Sequence, residues 1–523
     1  MTLLQIHLSD DMVVALADLE AGLEVEAGEA MLRLLTPVPA KYKVYLRDLP
    51  AGFYPKLYGM PAGRTTRAVQ GGEAATPENL DSLREDVATL LPEVPAWIPP
   101  HLADLPTSFR GYLRPDGRAG TRNHLLVAYT VPCVRKAAEQ VVTVMRRAFG
   151  FESDDPWIRY AREGVVPAQE ATPGYPGVDD IVLLHHESGC GMADHGDPEA
   201  LLMFLAGYVR HPNVAGAVVL GLGCEKTPVE RLRADVGETW KPVVYLEHQA
   251  SGSEEALIRS AIDALKEMLA EASRHERVEV SGSMLVLGTE CGGSDGFSGI
   301  TANPTLGVMS ELVVALGGGL LLPEVPEMFG GEAILAARAV NGEVAQQVLE
   351  LVRGYAAYAA KTGTHPAENP SLGNIREGLT TIQIKSLGAI QKAGNVPVTG
   401  VLEYAEPIPG AGLYLLNTPG YDISSTPALA ASGANIIVFT TGLGTPCGNP
   451  VAPVLKVATN HRTAHRMGDI VDFNAGSVLD GEPLEAVGRR LYRLGLEVAS
   501  GQKTANERLG HRESAFWNRQ TML

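Results

Sequence analysis

Cysteine is scarce in this 523-residue chain, with five in all, widely spaced. An odd, scattered set excludes a disulfide framework and fits thiols kept reduced in a cytoplasm. No Cys-x-x-Cys occurs, which removes the local signature of an iron–sulfur protein and leaves open only distant thiols that meet in space. Positive charge is short as well: Lys and Arg number 43 against 61 Asp and Glu, for a net charge of −18 and a sequence pI near 5.2. That balance argues against nucleic acid and anionic membrane surfaces as partners, but not against small anionic substrates. No apolar run approaches the length of a membrane span, and the N-terminus, with Asp10, Asp11, Asp18 and Glu20, lacks a signal pattern. A soluble cytoplasmic protein is expected. There is no P-loop, no G-x-G-x-x-G after a strand and no G-x-S-x-G elbow, so nucleotide-transfer and hydrolase readings lose support.

Glycine, at 57 residues, and hydrophobic side chains, at 45%, are plentiful while aromatics stay at 6%. The pattern is that of a loop-rich α/β enzyme with length for two or three cores. Residues 1–75 carry short apolar runs broken at close intervals by Gly and Pro, which predicts a small β domain. Residues 76–106 contain six prolines and read as a stiff linker with one helix before Leu91. Strand and helix patterns then alternate through 107–276 and again through 277–523, predicting two α/β domains with mostly parallel sheets. Helices are expected at Lys136–Arg147, Pro198–Val209, Ser253–Ser273 and Pro483–Ser500.

The stretch the chain is arranged around runs from Leu287 to Asp295 and on to Pro304. An apolar strand, Met284–Leu287, is expected to stop in glycines, with Glu290, Cys291, Ser294, Asp295 and Asn303 crowded into the following loop. Each of the five cysteines lies at or just past the end of an apolar run, where α/β sheets bind ligands. Arg114, Arg118 and Arg122 offer forks for a substrate carboxylate, or else ordinary ion pairs of a solvated loop. His185, His186 and Cys190 follow one apolar run, and Cys224 with Glu225 follows another; these are metal-ligand types without zinc-finger spacing. Lys385 sits at an expected helix start beyond Thr380 and Thr381, where a dry pocket would make it a base and a surface position would leave it inert. Thr440, Thr441 and Lys456 complete the set as an anion-holding group.

Taken in order, several motifs resemble the altronate/galactarate dehydratase family. They are Gly111-Tyr-x-Arg-x-Asp-Gly-x-x-Gly-Thr-Arg-Asn123, His186-x-x-Gly-Cys-Gly191, Gly221-Leu-Gly-Cys-Glu225, Glu290-Cys-Gly-Gly-Ser-Asp295, Ser298-Gly-x-Thr-Ala-Asn-Pro304, Gly378-Leu-Thr-Thr381, Lys385-Ser-Leu-Gly388, Phe439-Thr-Thr-Gly442 and Asp472-x-Asn-Ala-Gly476. The resemblance implies an N-terminal SAF-like β-clip domain and a dehydratase that removes water from a hexonic or hexaric sugar acid, giving a 2-keto-3-deoxy acid. It implies a divalent metal, iron(II) or manganese(II), and a homo-oligomer such as a dimer. On that reading Lys385 or His186 takes a proton, and Glu225 or Glu290 protonates the leaving hydroxyl. Arg114, Arg118, Arg122, Ser294, Asp295, Asn303, Thr380, Thr381, Thr440, Thr441 and Lys456 would hold substrate. His185, His186, Cys190, Cys224 and Cys291 would supply the metal ligands. The chain departs from the family at Tyr42, where a His is usual, and at Ile384, where a Glu is usual. Those departures keep two alternatives open: another β-elimination, such as sulfite release from a hydroxy sulfonate, or a sugar-acid binding protein without turnover.

Overall fold

In the computed structural model, residues 2–27, 30–84, 91–151, 157, 160 and 175–520 are described. The helix expected before Leu91 falls largely on residues outside that set. The N-terminal segment forms a β domain of strands two to four residues long. Leu3–Leu4, Met12–Ala15, Lys43–Tyr45 and Ala74–Ala75 pair antiparallel in that order. Strands this short are held by their inward side chains: Val13, Val14, Val44, Tyr45 and Ala75 are all but inaccessible to solvent.

The middle domain has a four-stranded parallel sheet in the order Asp180–Leu183, His124–Tyr129, Val214–Gly221, Val243–Glu247. Its two central strands are buried along their whole length, as befits a sheet covered on both faces. The covering helices include Arg135–Ala148, Asp197–Arg210 and Glu254–Ala272. In the last, Ser253 caps the Ala256 N–H, and Leu257, Ala261, Leu265 and Met268 bury one stripe. A small antiparallel sheet joins Ser108–Leu113 to Val278–Ser281, so the segments entering and leaving this domain are stitched together.

The C-terminal domain carries a seven-stranded, wholly parallel sheet. Its order is Val398–Leu402, Gly412–Leu416, Gly319–Leu322, Val286–Cys291, Ile436–Thr441, Val454–Ala458, Phe473–Asn474. The first strand in sequence lies in the middle and later strands add on either side of it, which creates a crevice at the carboxyl ends where the order reverses. The central strand differs from expectation. Gly282–Met284 form a 3-10 turn capped by Ser281, so the strand starts at Val286 and runs on through Cys291. Glu290 and Cys291 are therefore strand residues, in register with Phe439 and Thr440. Among the described residues no helix is long and apolar enough to cross a membrane.

Candidate active site

Carboxylates converge at the mouth of that crevice from three elements. Glu290, next to last in the central strand, is fully buried. Glu324 stands two residues past the neighbouring strand with φ +67°, a left-handed backbone rare for a side chain of this size, which Thr418 supports by accepting its N–H at 2.7 Å. Asp422 opens the Asp422–Ala431 helix. Ligand oxygens of the three lie within 4.8 Å of one another. Glu290 accepts the Ser425 hydroxyl at 2.9 Å with one oxygen, while its other oxygen and one of Glu324 have no hydrogen-bond partner. Burial raises the Glu290 carboxyl well above the usual range, and the neighbouring Glu324 and Asp422 charges add to it. Burial and the Glu327 charge push Glu324 to about 7 and Asp422 to about 6.

Three lysines face this cluster. Lys392 is buried and ion-paired to Glu324. Lys385 reaches Glu327 at 2.8 Å and donates to Asn369 at 3.2 Å. Burial works against its charge, but Glu327 outweighs that and raises its pKa. Lys456 is different. In the parallel register Glu290, Phe439 and Lys456 form a row across three strands, which places the lysine Nζ 3.0 Å from the centre of the Phe439 ring. It has no hydrogen-bond partner, and burial lowers its amine to about 7.

The N-terminal domain closes over the other side. Lys41 pairs with Asp295 at 3.0 Å and with Glu377. Lys43, buried, donates to the carbonyls of Gly378 at 2.8 Å and Lys41 at 3.0 Å, and burial lowers it to about 7. Together with Tyr58, Cys291, Ser294, Asn303 and Lys385 it encloses a cavity of about 10 Å³, close to what one water needs. Thr381 and Thr380 donate to Ala62 and Ala75 carbonyls at 2.5 and 3.2 Å, so both pin the N-terminal domain to the C-terminal one. Asp295 accepts from Thr459 at 3.0 Å and Asn460 at 3.2 Å, Ser294 meets the Cys291 sulfur at 2.6 Å, and Thr440 donates to Asn303 at 2.6 Å. Thr441 accepts the N–H groups of Gly444 and Thr445.

Several residues singled out from sequence are placed elsewhere. Arg122 is buried against Glu507 at 2.6 Å and three carbonyls; Arg114 is spent on the Pro212 carbonyl and Asn123; Arg118 folds back on Asp116. The three forks thus brace the middle domain and do not face the cluster. His186 has both ring nitrogens engaged with backbone, at Tyr129 and Ser188, and burial drops its pKa to about 4. Glu225 ties down the N–H groups of Leu222, Gly223 and Cys224. His185, Cys190 and Cys224 belong to the middle domain and Cys291 to the C-terminal one, so the expected metal set does not assemble as one group. Burial pushes the Cys291 thiol up to about 11. Tyr42 donates to the Ile375 carbonyl at 3.1 Å and Ile384 packs with Met12, Tyr45 and Leu379, so both departures serve the contact between domains. The Leu322-Pro-Glu-Val-Pro-Glu327 and Thr418-Pro-Gly-Tyr-Asp422 runs, each after an apolar stretch, mark Glu324, Glu327 and Asp422 in the sequence without giving them a role, whereas nothing there points to Lys392.

Family models match along the chain: "Altronate/galactarate dehydratase SAF domain" at 1–83, "D-galactarate dehydratase/Altronate hydrolase, second domain" at 111–273, and "D-galactarate/Altronate dehydratase, C-terminal" at 282–522. An altronate dehydratase of Bacillus subtilis (strain 168) is 35% identical over 98% of both chains. The chain belongs to the altronate/galactarate dehydratase family. Other members near it are an altronate dehydratase of Escherichia coli (strain K12), 33% identical over 99% of both chains, and a galactarate dehydratase (L-threo-forming) of the same organism, 32% identical over 98% of this chain and 96% of its own. Dehydratases of this family are carbon–oxygen lyases, and the carboxylate–lysine cluster lies within the match to the C-terminal model.

Proposed function

We propose that the chain dehydrates a six-carbon sugar acid of the altronate or galactarate type to a 2-keto-3-deoxy acid, with the Glu290–Glu324–Asp422 group as its reaction centre. The observation that carries this is three carboxylate ligand atoms within 4.8 Å at a sheet switch point, two of the residues keeping an unpartnered buried oxygen. Full-length similarity to dehydratases favours dehydration over the other two readings. An all-oxygen donor set suits a divalent cation such as manganese(II) or iron(II), and burial first, then the neighbouring carboxylate charges, raise carboxyl pKa values that a cation would lower. Such a cation, when bound, would polarise the substrate carboxylate and its neighbouring hydroxyl.

The chain's own residues supply the proton movements. Lys456, unpartnered and near neutrality, takes the proton from carbon 2. The ammonium groups of Lys385 and Lys392, held by Glu327 and Glu324, balance the charge that develops beside them. With Glu290 ionised as one of the residues that would hold the cation, Lys456 passes that proton on from carbon 2 to the hydroxyl leaving carbon 3. A carbon–carbon double bond forms between the two, water departs, and the enol becomes the ketone. The test uses protein purified without oxygen, stripped with a chelator and incubated with altronate or galactarate plus iron(II) or manganese(II). Keto-deoxy product that needs the cation is expected. Cation binding by calorimetry, weakened in Glu290→Gln, gives a readout apart from turnover. No product from either acid would overturn the reading.

A further inference from the structure

The middle domain places three cysteines, far apart in the sequence, in loops that follow neighbouring strands at one end of its sheet. Cys133, Cys190 and Cys224 follow the strands His124–Tyr129, Asp180–Leu183 and Val214–Gly221, which are parallel neighbours in one sheet. All three are exposed, whereas Cys291 and Cys447 are buried. Their loops are tied together. Thr130 donates to the Glu225 carboxylate at 2.6 Å and Thr227 to the Thr130 carbonyl at 3.2 Å. Lys226 donates to the Met192 carbonyl at 2.6 Å, and a side chain on Gly189 would lie 2.6 Å from the Val131 methyl. Helices of eight residues or more begin at Arg135, Asp197 and Val229, soon after the three loops.

We propose that Cys133, Cys190 and Cys224 hold an iron–sulfur cluster, separate from the carboxylate site. Among the described residues only the Glu290 trio brings three ligand atoms within 4.8 Å. The thiols therefore stand too far apart for one tetrahedral zinc ion, whose Zn–S bonds are about 2.3 Å. A cluster that takes each thiolate on a different iron spans a wider triangle. Binding replaces three S–H bonds by three S–Fe bonds and releases three protons, with no change in the sulfur oxidation state. Three protein ligands leave one iron open toward solvent, where a hydroxyl or carboxylate oxygen has access.

The experiment takes full-length protein isolated without oxygen from iron-replete cells and measures iron, acid-labile sulfide and visible absorption. Acid-labile sulfide with at least as much iron is expected, the sulfide falling at least tenfold in Cys190→Ser and Cys224→Ser but unchanged in Cys291→Ser. Maleimide labelling read by mass spectrometry serves where a variant does not fold: the three thiols should be shielded until a chelator strips the iron. Zinc or iron without sulfide, a cluster that survives Cys190→Ser, or thiols labelled equally before and after stripping would overturn the proposal. Dehydration of sugar acids is scored separately, so either reading can fail alone.

Discussion

Lys456 shows how one residue's chemistry is set by what surrounds it. On a surface its amine would stay charged to above pH 10; buried over Phe439 without a partner, it falls to about 7. As pH rises from 5 to 8, Asp422, then Glu324 and Lys456, lose protons. The carboxylates become able to hold a cation and the amine becomes a free base. Turnover per unit substrate should therefore rise over that window and level off above about pH 8. A profile flat from 5 to 8 would count against these groups. Lys456→Met keeps the length and drops the amine, so kcat should fall by roughly 10²–10⁴-fold. Removing a partnerless buried amine should leave thermal stability unchanged or higher, which unfolding by calorimetry checks.

At the scale of elements, close backbone approach holds the site in shape. Gly292 follows the central strand directly, and a β-carbon there would clash with the Asp422 carboxylate and stand 2.6 Å from Phe439. Gly292→Ala should push Asp422 away from Glu290 and Glu324, lowering cation affinity and kcat/KM by about tenfold or more, with an overpacking cost of about 1–3 kcal/mol. Titration calorimetry with manganese(II) separates the two effects, since a purely structural defect would leave affinity intact at low temperature. The same logic applies between domains: the Lys41 carbonyl lies against Gly296 and Gly378, where a side chain would collide with it. These contacts bring Lys41 and Lys43 over the crevice, and a sugar acid far exceeds the 10 Å³ enclosed there. Substrate binding should therefore change the protection of residues 41–58 from hydrogen exchange, measured with and without the acid.

Across the whole molecule, Arg122 links the middle domain to the C-terminal segment through Glu507 and the carbonyls of Val498 and Gln502. Burial opposes the Glu507 charge, yet Arg122 outweighs it and holds that carboxyl down at about 2. Arg122→Met leaves Glu507 unpaired and should cost about 3–5 kcal/mol. Thermal unfolding should show the loss, while KM of the folded fraction stays put. A large rise in KM with unchanged stability would instead make Arg122 a substrate ligand.

The sequence by itself determined a small N-terminal β region followed by α/β regions with parallel sheets. Periodicity, glycine placement and ordered motifs are local properties, and each survives in one dimension. It could not say which polar residues face one another. Arg114, Arg118 and Arg122 look alike on paper, and their partners at Pro212, Asp116 and Glu507 are set by loops far along the chain. Glu290 and Asp422 are separated by more than a hundred residues, with Glu324 between them, and the three meet only because the strands they end or follow are neighbours in the sheet. Desolvation, which lowers the Lys456 amine and raises the Glu290 carboxyl, depends on everything packed around them. That is a property of the folded interior, and only the tertiary structure decided it.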